Sequence, residues 1–408
     1  MAVGARQHVV VLVPGFLGFA PGRSARLRRS GSSGLRDEDS RVAGVLRAAL
    51  EAHCGLPVPV VTLPVTRAIN LATRQRCLLR QLEALDGALR GVRQFHLIGH
   101  GPGGVDAELL TESLPLKAGA TWNDLDPTHL RERVASVLTL AAPHYGTQLA
   151  DQPLLHGRKR PQSFDVQGMR QVGGVASSLL REWVARVRSG TRGRADLLGA
   201  LPLFMRLLRE GELLRELSPH AMQALRAHNL PDSSLAVRVQ SVVVSAPELT
   251  TEEGGVMRRR DSLFAALHGL TGVRSPSELP ISLAHAQKLL RNVPPERLIR
   301  HPSARVPALD LAANDGVVNA ARQLLTTRAQ HNDPLAALVI ADHADVVGYY
   351  DRRSLLAPET CTRRGLLRSG ANFGDDEFFH LWGLVAALVS ASALSETPAA
   401  EADIAAAQ

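Results

Sequence analysis

The sequence predicts an α/β fold, with a mainly parallel, doubly wound sheet and an inserted helical cap. Three observations lead to this prediction. Short runs of β-branched and other apolar residues recur along the chain, as expected of strands that are buried on both faces of a parallel sheet. Segments with apolar residues at helical spacing alternate with these runs. One helical stretch between two predicted strands is far longer than a crossover connection requires.

Composition indicates an ordinary globular protein and argues against a nucleic-acid-binding function. The chain has 408 residues, of which 45% are hydrophobic and 21% charged. The formal net charge of +8 invites a nucleic-acid interpretation. We reject that interpretation because the basic residues are nearly all Arg and are scattered along the whole chain. We therefore expect no nucleic-acid partner.

Cysteine usage and hydropathy predict the compartment. Cys54, Cys77 and Cys361 are odd in number and widely spaced, so they predict no disulfide framework and favour a reducing compartment. The apolar run Val9–Val13 is too short for the core of a signal peptide and is followed by Pro14-Gly15. No apolar stretch reaches the roughly twenty residues of a membrane span. We expect a cytoplasmic protein without a transmembrane segment.

Residues 1–147 are predicted to form the first part of the α/β core. The continuous β-branched run at its start is typical of a buried parallel strand, and later segments repeat the pattern. The predicted elements are strand His8–Val13, helix Ser40–His53, strand Val58–Leu63, helix Leu71–Leu89, strand Phe95–Ile98, a helix from Val105 to Leu110 and strand Val134–Ala141.

Residues 148–235 are predicted to form a helical cap or lid. From about Gln148 to Asn229 the sequence is rich in Leu and Arg and contains no strand candidate. An all-helical insertion between two strands of an α/β protein favours a cap over the site. The predicted cap helices are Val175–Val187, Asp196–Arg209 and Gly211–His228.

Residues 236–395 are predicted to complete the core, and residues 396–408 to form a flexible tail. The stretch 257–300 is interpreted as a source of further cap helices, and the final helix is apolar almost all round, so we expect it to pack on the sheet. The predicted elements are strand Val237–Val244, helical stretch Met257–Asn292, strand Val306–Leu311, strand Ala336–Ile340 and helix Phe378–Ala391.

The stretch Phe95–Leu110, FHLIGHGPGGVDAELL, is read as a buried strand, a glycine-rich turn and a helix. A sharp strand-to-helix turn of this kind lifts a nucleophilic serine above the sheet in α/β-hydrolases. Here Gly101 stands where the serine would be. Pro102 follows at the position whose backbone N–H normally binds the oxyanion, and proline has no N–H. Two catalytic parts are therefore missing from one turn.

Two more polar groups follow predicted strands, at the edge where open α/β sheets bind ligands. They are Asn314-Asp315-Gly316 and Asp342-His343-Ala344-Asp345. In isolation Asp315 would be interpreted as a turn residue, and His343 as a polar residue at a strand end. The chain order of turn, then Asp, then His is that of the α/β-hydrolases, and it favours a functional interpretation of both.

The chain resembles bacterial lipases and esterases of the α/β-hydrolase superfamily. The resemblance implies that Asp315 is the triad acid, that His343 is the general base, and that the backbone of Phe16 or Leu17 supplies an oxyanion donor. The chain departs from the family at the turn, where Gly-His-Gly-Pro-Gly-Gly replaces Gly-His-Ser-x-Gly-Gly. The blocks that carry the resemblance are Val13–Gly18, Gly99–Ala107, Ala142–Thr147, Asn314–Val318 and His343–Asp345.

The resemblance also bears on a metal ion. In calcium-binding relatives, the Asp two residues past the catalytic His helps to hold the ion, and this position corresponds to Asp345. The sequence leaves two interpretations of Asp345 open, a calcium ligand or a loop-capping aspartate. We identify no partner carboxylate, and no other cofactor is expected.

Three hypotheses of function follow. The first is a lipase-like scaffold, a pseudoenzyme that has lost hydrolysis and binds a small acyl-ester or lipid-like ligand, or a protein that the sequence does not identify. The second is a hydrolase that works without serine, through a water activated by His343. The third is an ordinary carboxylesterase or lipase in which the serine has been exchanged for Gly101.

Overall fold

The computed structural model describes residues 8–16, 18–20, 40–55, 57–65, 70–89, 94–112, 127–151, 211–228, 237–247, 268, 271, 281–310, 312–325, 333–351 and 367–395. Within this part of the chain, seven parallel strands form one sheet with helices on both faces. This arrangement confirms the predicted α/β fold class. The strands are β1 (His8–Val13), β2 (Val60–Thr62), β3 (Gln94–His100), β4 (Val134–Leu140), β5 (Arg238–Ser245), β6 (Leu298–Ile299) and β7 (Leu335–Ile340).

The strands lie in the order β2-β1-β3-β4-β5-β7-β6, and every neighbouring pair is parallel. From β1 the chain moves outward to β2 and then returns to place β3 on the other side of β1. The strand order therefore reverses between β1 and β3. In open α/β sheets ligands bind outside the carboxyl ends of the strands at such a point. A separate pair, β8 (Tyr350–Asp351) and β9 (Leu367–Arg368), is also parallel.

The helices cover both faces of the sheet because β1 and its neighbours bury side chains on both sides. The helices are α1 (Arg41–Cys54), α2 (Leu71–Ala88), α3 (Pro102–Leu109), α4 (Pro127–Arg131), α5 (Gly211–Glu216), α6 (Pro219–His228), α7 (Ile281–Arg291) and α8 (Asp375–Ser395). Val10 and Leu12 pack on the face covered by α1 and α8, while Val9, Val11 and Val13 pack on the face covered by α2 and α3.

One predicted strand is wrong. Residues 304–309 have no regular secondary structure, although Val306–Leu311 was predicted to be a strand, and Leu311 itself lies outside the described residues. Pro307 has no N–H for a ladder hydrogen bond, and Leu309 has a positive φ of 50°. The position beside β7 is occupied by the short strand β6 instead.

The predicted cap is described only in part. Residues 148–151 form a short 3₁₀ helix, while Val175–Val187, Asp196–Arg209 and the tail at 396–408 lie outside the described residues. The predicted helix Gly211–His228 is two helices, α5 and α6. The Ser218 hydroxyl accepts a hydrogen bond from the Ala221 N–H at 3.3 Å, and Pro219 opens the new helix.

Helices α5 and α6 pack on the core. Leu213, Leu217 and Met222 are fully buried in one cluster with Val105 and Leu109, of which Val105 belongs to α3 and Leu109 ends it. The part of the predicted cap that the structure describes is therefore seated directly on the helix that follows the glycine-rich turn. No helix in the described residues is long and apolar enough to cross a membrane.

Candidate active site

The turn between β3 and α3 has the sharp geometry that the sequence predicts. Gly101 adopts φ 53° and ψ −126°, which glycine tolerates far better than other residues. Its N–H donates to the Leu140 carbonyl at 2.9 Å, and its carbonyl accepts from the Gly104 N–H at 2.9 Å. A β-carbon at Gly103 would collide with the backbone at the end of β1, so α3 can approach the sheet this closely only without a side chain there.

Asp315 and His343 meet at the carboxyl edge of the sheet. His343 Nδ1 lies 2.8 Å from Asp315 Oδ2, and both side chains are buried. The other carboxylate oxygen, Asp315 Oδ1, accepts from the backbone N–H groups of Val317 and Val318 at 2.8 and 2.7 Å. Because both oxygens have partners, the carboxylate can hold the imidazole in one orientation and fix its tautomer.

Asp315 reaches this edge without a strand of its own. The Ala246 N–H, just after β5, donates to the Asn314 carbonyl at 2.8 Å. The His343 N–H in turn donates to the Asp315 carbonyl at 3.0 Å. The loop that carries Asp315 is therefore fastened to the ends of β5 and β7, which explains how the pair forms although the predicted strand before Asp315 is absent.

The Nε2 edge of the His343 ring faces the turn. A β-carbon built at Gly101 would lie 3.4 Å from His343 Nε2 and 3.7 Å from Cε1. These are ordinary van der Waals distances, and among the described residues no third atom outside the turn comes within 4 Å of that point. A hydroxyl on such a carbon would lie within hydrogen-bond reach of Nε2. The Asp315–His343 pair is thus aimed at a position that carries no side chain.

His100 supports the His343 backbone. Its Nε2 lies 2.9 Å from the His343 carbonyl and donates to it, and the two ring centroids are 4.6 Å apart. Burial, reinforced by the adjacent His343 ring, holds the pKa of His100 well below its ordinary value. His100 is therefore neutral at physiological pH and acts as a hydrogen-bond donor beside the Asp315–His343 pair.

The predicted oxyanion donors lie beside the turn or outside the described residues. A β-carbon at Gly15 would lie 2.5 Å from the His100 carbonyl and 3.2 Å from Pro102 Cδ, so the loop after β1 abuts the turn. Phe16 follows Gly15, and Leu17 lies outside the described residues. Pro102 is the first residue of α3, a position that suits proline but supplies no N–H to an oxyanion. The oxyanion roles stay predictions.

The hydrogen bonds of Asp345 are those of a loop-capping aspartate, one of the two interpretations that the sequence leaves open. Its Oδ2 accepts from the Asp342 N–H at 2.9 Å and from the Ser369 hydroxyl at 2.6 Å. Burial, followed by repulsion from Asp342, raises the pKa of Asp345 well above its ordinary value. Calcium takes six to eight oxygen ligands. No group of three or more His, Cys, Asp or Glu side chains that could hold a metal occurs among the described residues.

A buried ion pair behind the turn was not predicted from the sequence. The Arg226 guanidinium of α6 donates two hydrogen bonds to Glu108 of α3, at 2.9 and 2.6 Å, and one to Glu112 at 2.5 Å. Burial alone would raise the pKa of Glu108, but Arg226 outweighs it and the pKa is lowered. The one signal in the sequence was the placement of acidic residues inside an otherwise apolar helix.

Comparison with known proteins gives structural likenesses only. No protein-family model matches the chain, and no curated protein matches it. The lipase of Staphylococcus hyicus is 12% identical, with a TM-score of 0.45, and the match covers 96% of this chain and 97% of that one. EstA from Clostridium botulinum is 16% identical, with a TM-score of 0.42 and coverages of 95% and 88%. The mature Bacillus licheniformis lipase BlEst2 is 13% identical, with a TM-score of 0.39 and coverages of 83% and 86%.

The architecture of the described residues identifies the fold. The sheet is parallel throughout, with helices on both faces. A strand, a sharp turn and a helix meet at Gly101, and Asp315 and His343 follow in that order along the chain to meet beside it. The chain has the α/β-hydrolase fold.

Proposed function

We propose that this protein is a lipase-like or esterase-like scaffold that binds a small acyl-ester or lipid-like ligand and hydrolyses it very slowly or not at all. One observation carries the proposal. His343 Nε2 lies 3.4 Å from the place where a side chain at Gly101 would begin, so the acid and base are in position and the nucleophile is missing. Without a hydroxyl, no covalent acyl intermediate can form at this turn.

Two missing groups at the turn, the nucleophile and one oxyanion donor, support a strong loss of hydrolysis. Removing the nucleophile of a serine hydrolase costs about 10⁶ in turnover, and the remainder comes from the oxyanion hole and from binding. Pro102 removes one oxyanion donor, which in comparable sites is worth about 3 kcal/mol. The resemblance of the sequence to lipases and esterases supports an acyl-ester or lipid-like ligand.

The proposal is tested with the purified chain on p-nitrophenyl butyrate and octanoate. We expect no burst of p-nitrophenol and a turnover about 10⁶-fold below that of an ordinary serine esterase, together with saturable binding of a fluorescent fatty acid that octanoate ester displaces. A burst equal to the enzyme concentration, or turnover near 10 s⁻¹, typical of working enzymes, would contradict the loss of hydrolysis. Failure to bind the fatty acid would contradict the ligand class.

A second candidate function is hydrolysis by water. The intact hydrogen bond between Asp315 and His343 favours it, because the pair could take a proton from a water beside Gly101 as it would from a serine. This route keeps an acid and a base but gives up the covalent step, and the missing N–H at Pro102 counts against it.

The water route is tested by substituting the base. If water is activated by His343, the residual ester hydrolysis of the natural chain will fall about 10²-fold or more in His343→Ala and in Asp315→Asn. The matched control is His380→Ala, which removes an exposed imidazole on α8 and should leave the residual rate unchanged. Equal residual rates in all four proteins would eliminate the water route.

A further inference from the structure

The loop that carries His343 is held by hydrogen bonds from other parts of the chain. Residues 341–349 follow β7 and contain a short 3₁₀ helix at Asp345–Val347. The last two residues of this helix accept hydrogen bonds. The Trp382 indole of α8 donates to the Val346 carbonyl at 3.0 Å, and the Ala20 N–H donates to the Val347 carbonyl at 3.0 Å. These bonds hold the end of the loop but not the part nearest His343.

The part nearest His343 is held by Ser369 and Gly370. The Ser369 hydroxyl donates to Asp345 Oδ2 at 2.6 Å, and that same carboxyl oxygen accepts from the Asp342 N–H at 2.9 Å. The Gly370 N–H donates to Asp342 Oδ2 at 2.6 Å. The residues on either side of His343 are therefore both bonded to this one short segment.

Ser369 is itself fixed by its neighbours. Its hydroxyl oxygen accepts from the Ala371 and Phe373 N–H groups, each at 3.1 Å, while its hydrogen goes to Asp345. The side chain is 7% exposed and Asp345 is 1% exposed, so water competes little for these bonds. One hydroxyl thus joins two backbone N–H groups of the Ser369–Phe373 turn to the His343 loop.

We propose that Ser369 is a positioning residue that holds the His343 loop through Asp345, so that His343 stays aligned with Asp315 without a bound cation. This inference rests on the proposed function in treating His343 as the base. It differs from the calcium role that the family resemblance implies for Asp345, because the hydrogen bonds of Ser369 and Gly370 do the work that a cation would do at this carboxyl pair.

The test reads the His343–Asp315 hydrogen bond by NMR and needs no turnover, so it stands apart from the tests of hydrolysis. In protein labelled with ¹⁵N-histidine, the low-field proton on His343 Nδ1 is assigned by its loss from His343→Ala. We expect its exchange with water to accelerate about tenfold or more in Ser369→Ala, because a hydrogen bond to a buried carboxyl group is lost. Ser369→Thr keeps the hydroxyl and should restore the slow exchange of the parent.

The matched control is Ser390→Ala, which removes another buried hydroxyl, one that donates within α8 to the Ala386 carbonyl at 2.8 Å. It should leave the exchange rate unchanged. EDTA and CaCl₂ should also leave the parent signal unchanged. The proposal is overturned if Ser369→Ala exchanges no faster than Ser390→Ala, or if EDTA accelerates exchange in the parent and calcium reverses it. The EDTA measurement decides alone if Ser369→Ala does not fold.

Discussion

Gly101→Ser is expected to raise ester turnover about 10³- to 10⁴-fold above that of the natural chain. The substitution supplies the missing hydroxyl next to His343, whose Nε2 lies 3.4 Å from the new β-carbon. The full loss on removing a nucleophile is about 10⁶, but Pro102 still withholds an oxyanion donor worth about 10²- to 10³-fold. The double variant Gly101→Ser/Pro102→Met should therefore gain about 10²-fold more than the single variant.

The measurement is the initial rate on p-nitrophenyl butyrate, combined with titration by a fluorophosphonate that labels an activated serine. Gly101→Ala is the matched control, because it introduces the same β-carbon at φ 53° without a hydroxyl. Gly101→Ser/His343→Ala tests whether the gain needs the base. If Gly101→Ser folds but is no faster than Gly101→Ala, the turn is not a lost nucleophile position. Full esterase activity from serine alone would favour an ordinary esterase that lacks only its serine.

Arg226→Ala is expected to lower the free energy of unfolding by about 3–5 kcal/mol. The Arg226 side chain is 6% exposed and Glu108 is fully buried, so the substitution leaves an uncompensated charge in the interior. The loss is measured by urea denaturation. The triple variant Glu108→Gln/Glu112→Gln/Arg226→Met removes all three charges and should recover most of the stability, since replacing every member of a buried ion-pair cluster is often close to neutral.

Arg226→Ala should also reverse the direction in which the free energy of unfolding changes with pH. In the natural chain the pKa of Glu108 is lowered, so its contribution to stability is fully present above about pH 4.5 and is lost only as the pH falls further. Without Arg226, burial has the largest effect on the pKa of Glu108 and raises it against the opposing effect of His144, so stability should then fall as the pH rises above about 4.5. An Arg226→Ala protein with natural stability, or with the same pH slope between pH 5 and 8 as the parent, would contradict the assignment.

The elements that sequence predicts best are those whose signal is local. The strand His8–Val13 has its predicted bounds because a continuous β-branched run in the middle of a parallel sheet needs no other information. Val306–Leu311 contains a single β-branched residue, and Pro307 and the backbone of Leu309 prevent pairing. A proline inside an apolar run argues against a strand, because proline has no N–H to donate to the sheet.

The sequence predicts the chain order of the site residues, but it does not predict which other residues hold them in place. Gly101, Asp315 and His343 each follow a recognisable local pattern, and the fold brings them together as the resemblance implies. Arg226 and Ser369 were missed because their partners, Glu108 and Asp345, are far away along the chain. A serine in a loop and an arginine on a helix are ordinary surface residues until tertiary packing buries them.

The bond between Trp382 and the Val346 carbonyl has a consequence for synthesis of the protein. A nascent chain that has just released His343 from the ribosome still lacks α8, and with it the indole that secures the far end of the loop. Asp315 and His343 can therefore approach each other during translation, but the far end of the loop is secured only after Trp382 has emerged and docked. A ribosome that pauses between these two points will carry a His343 loop that is held at one end only.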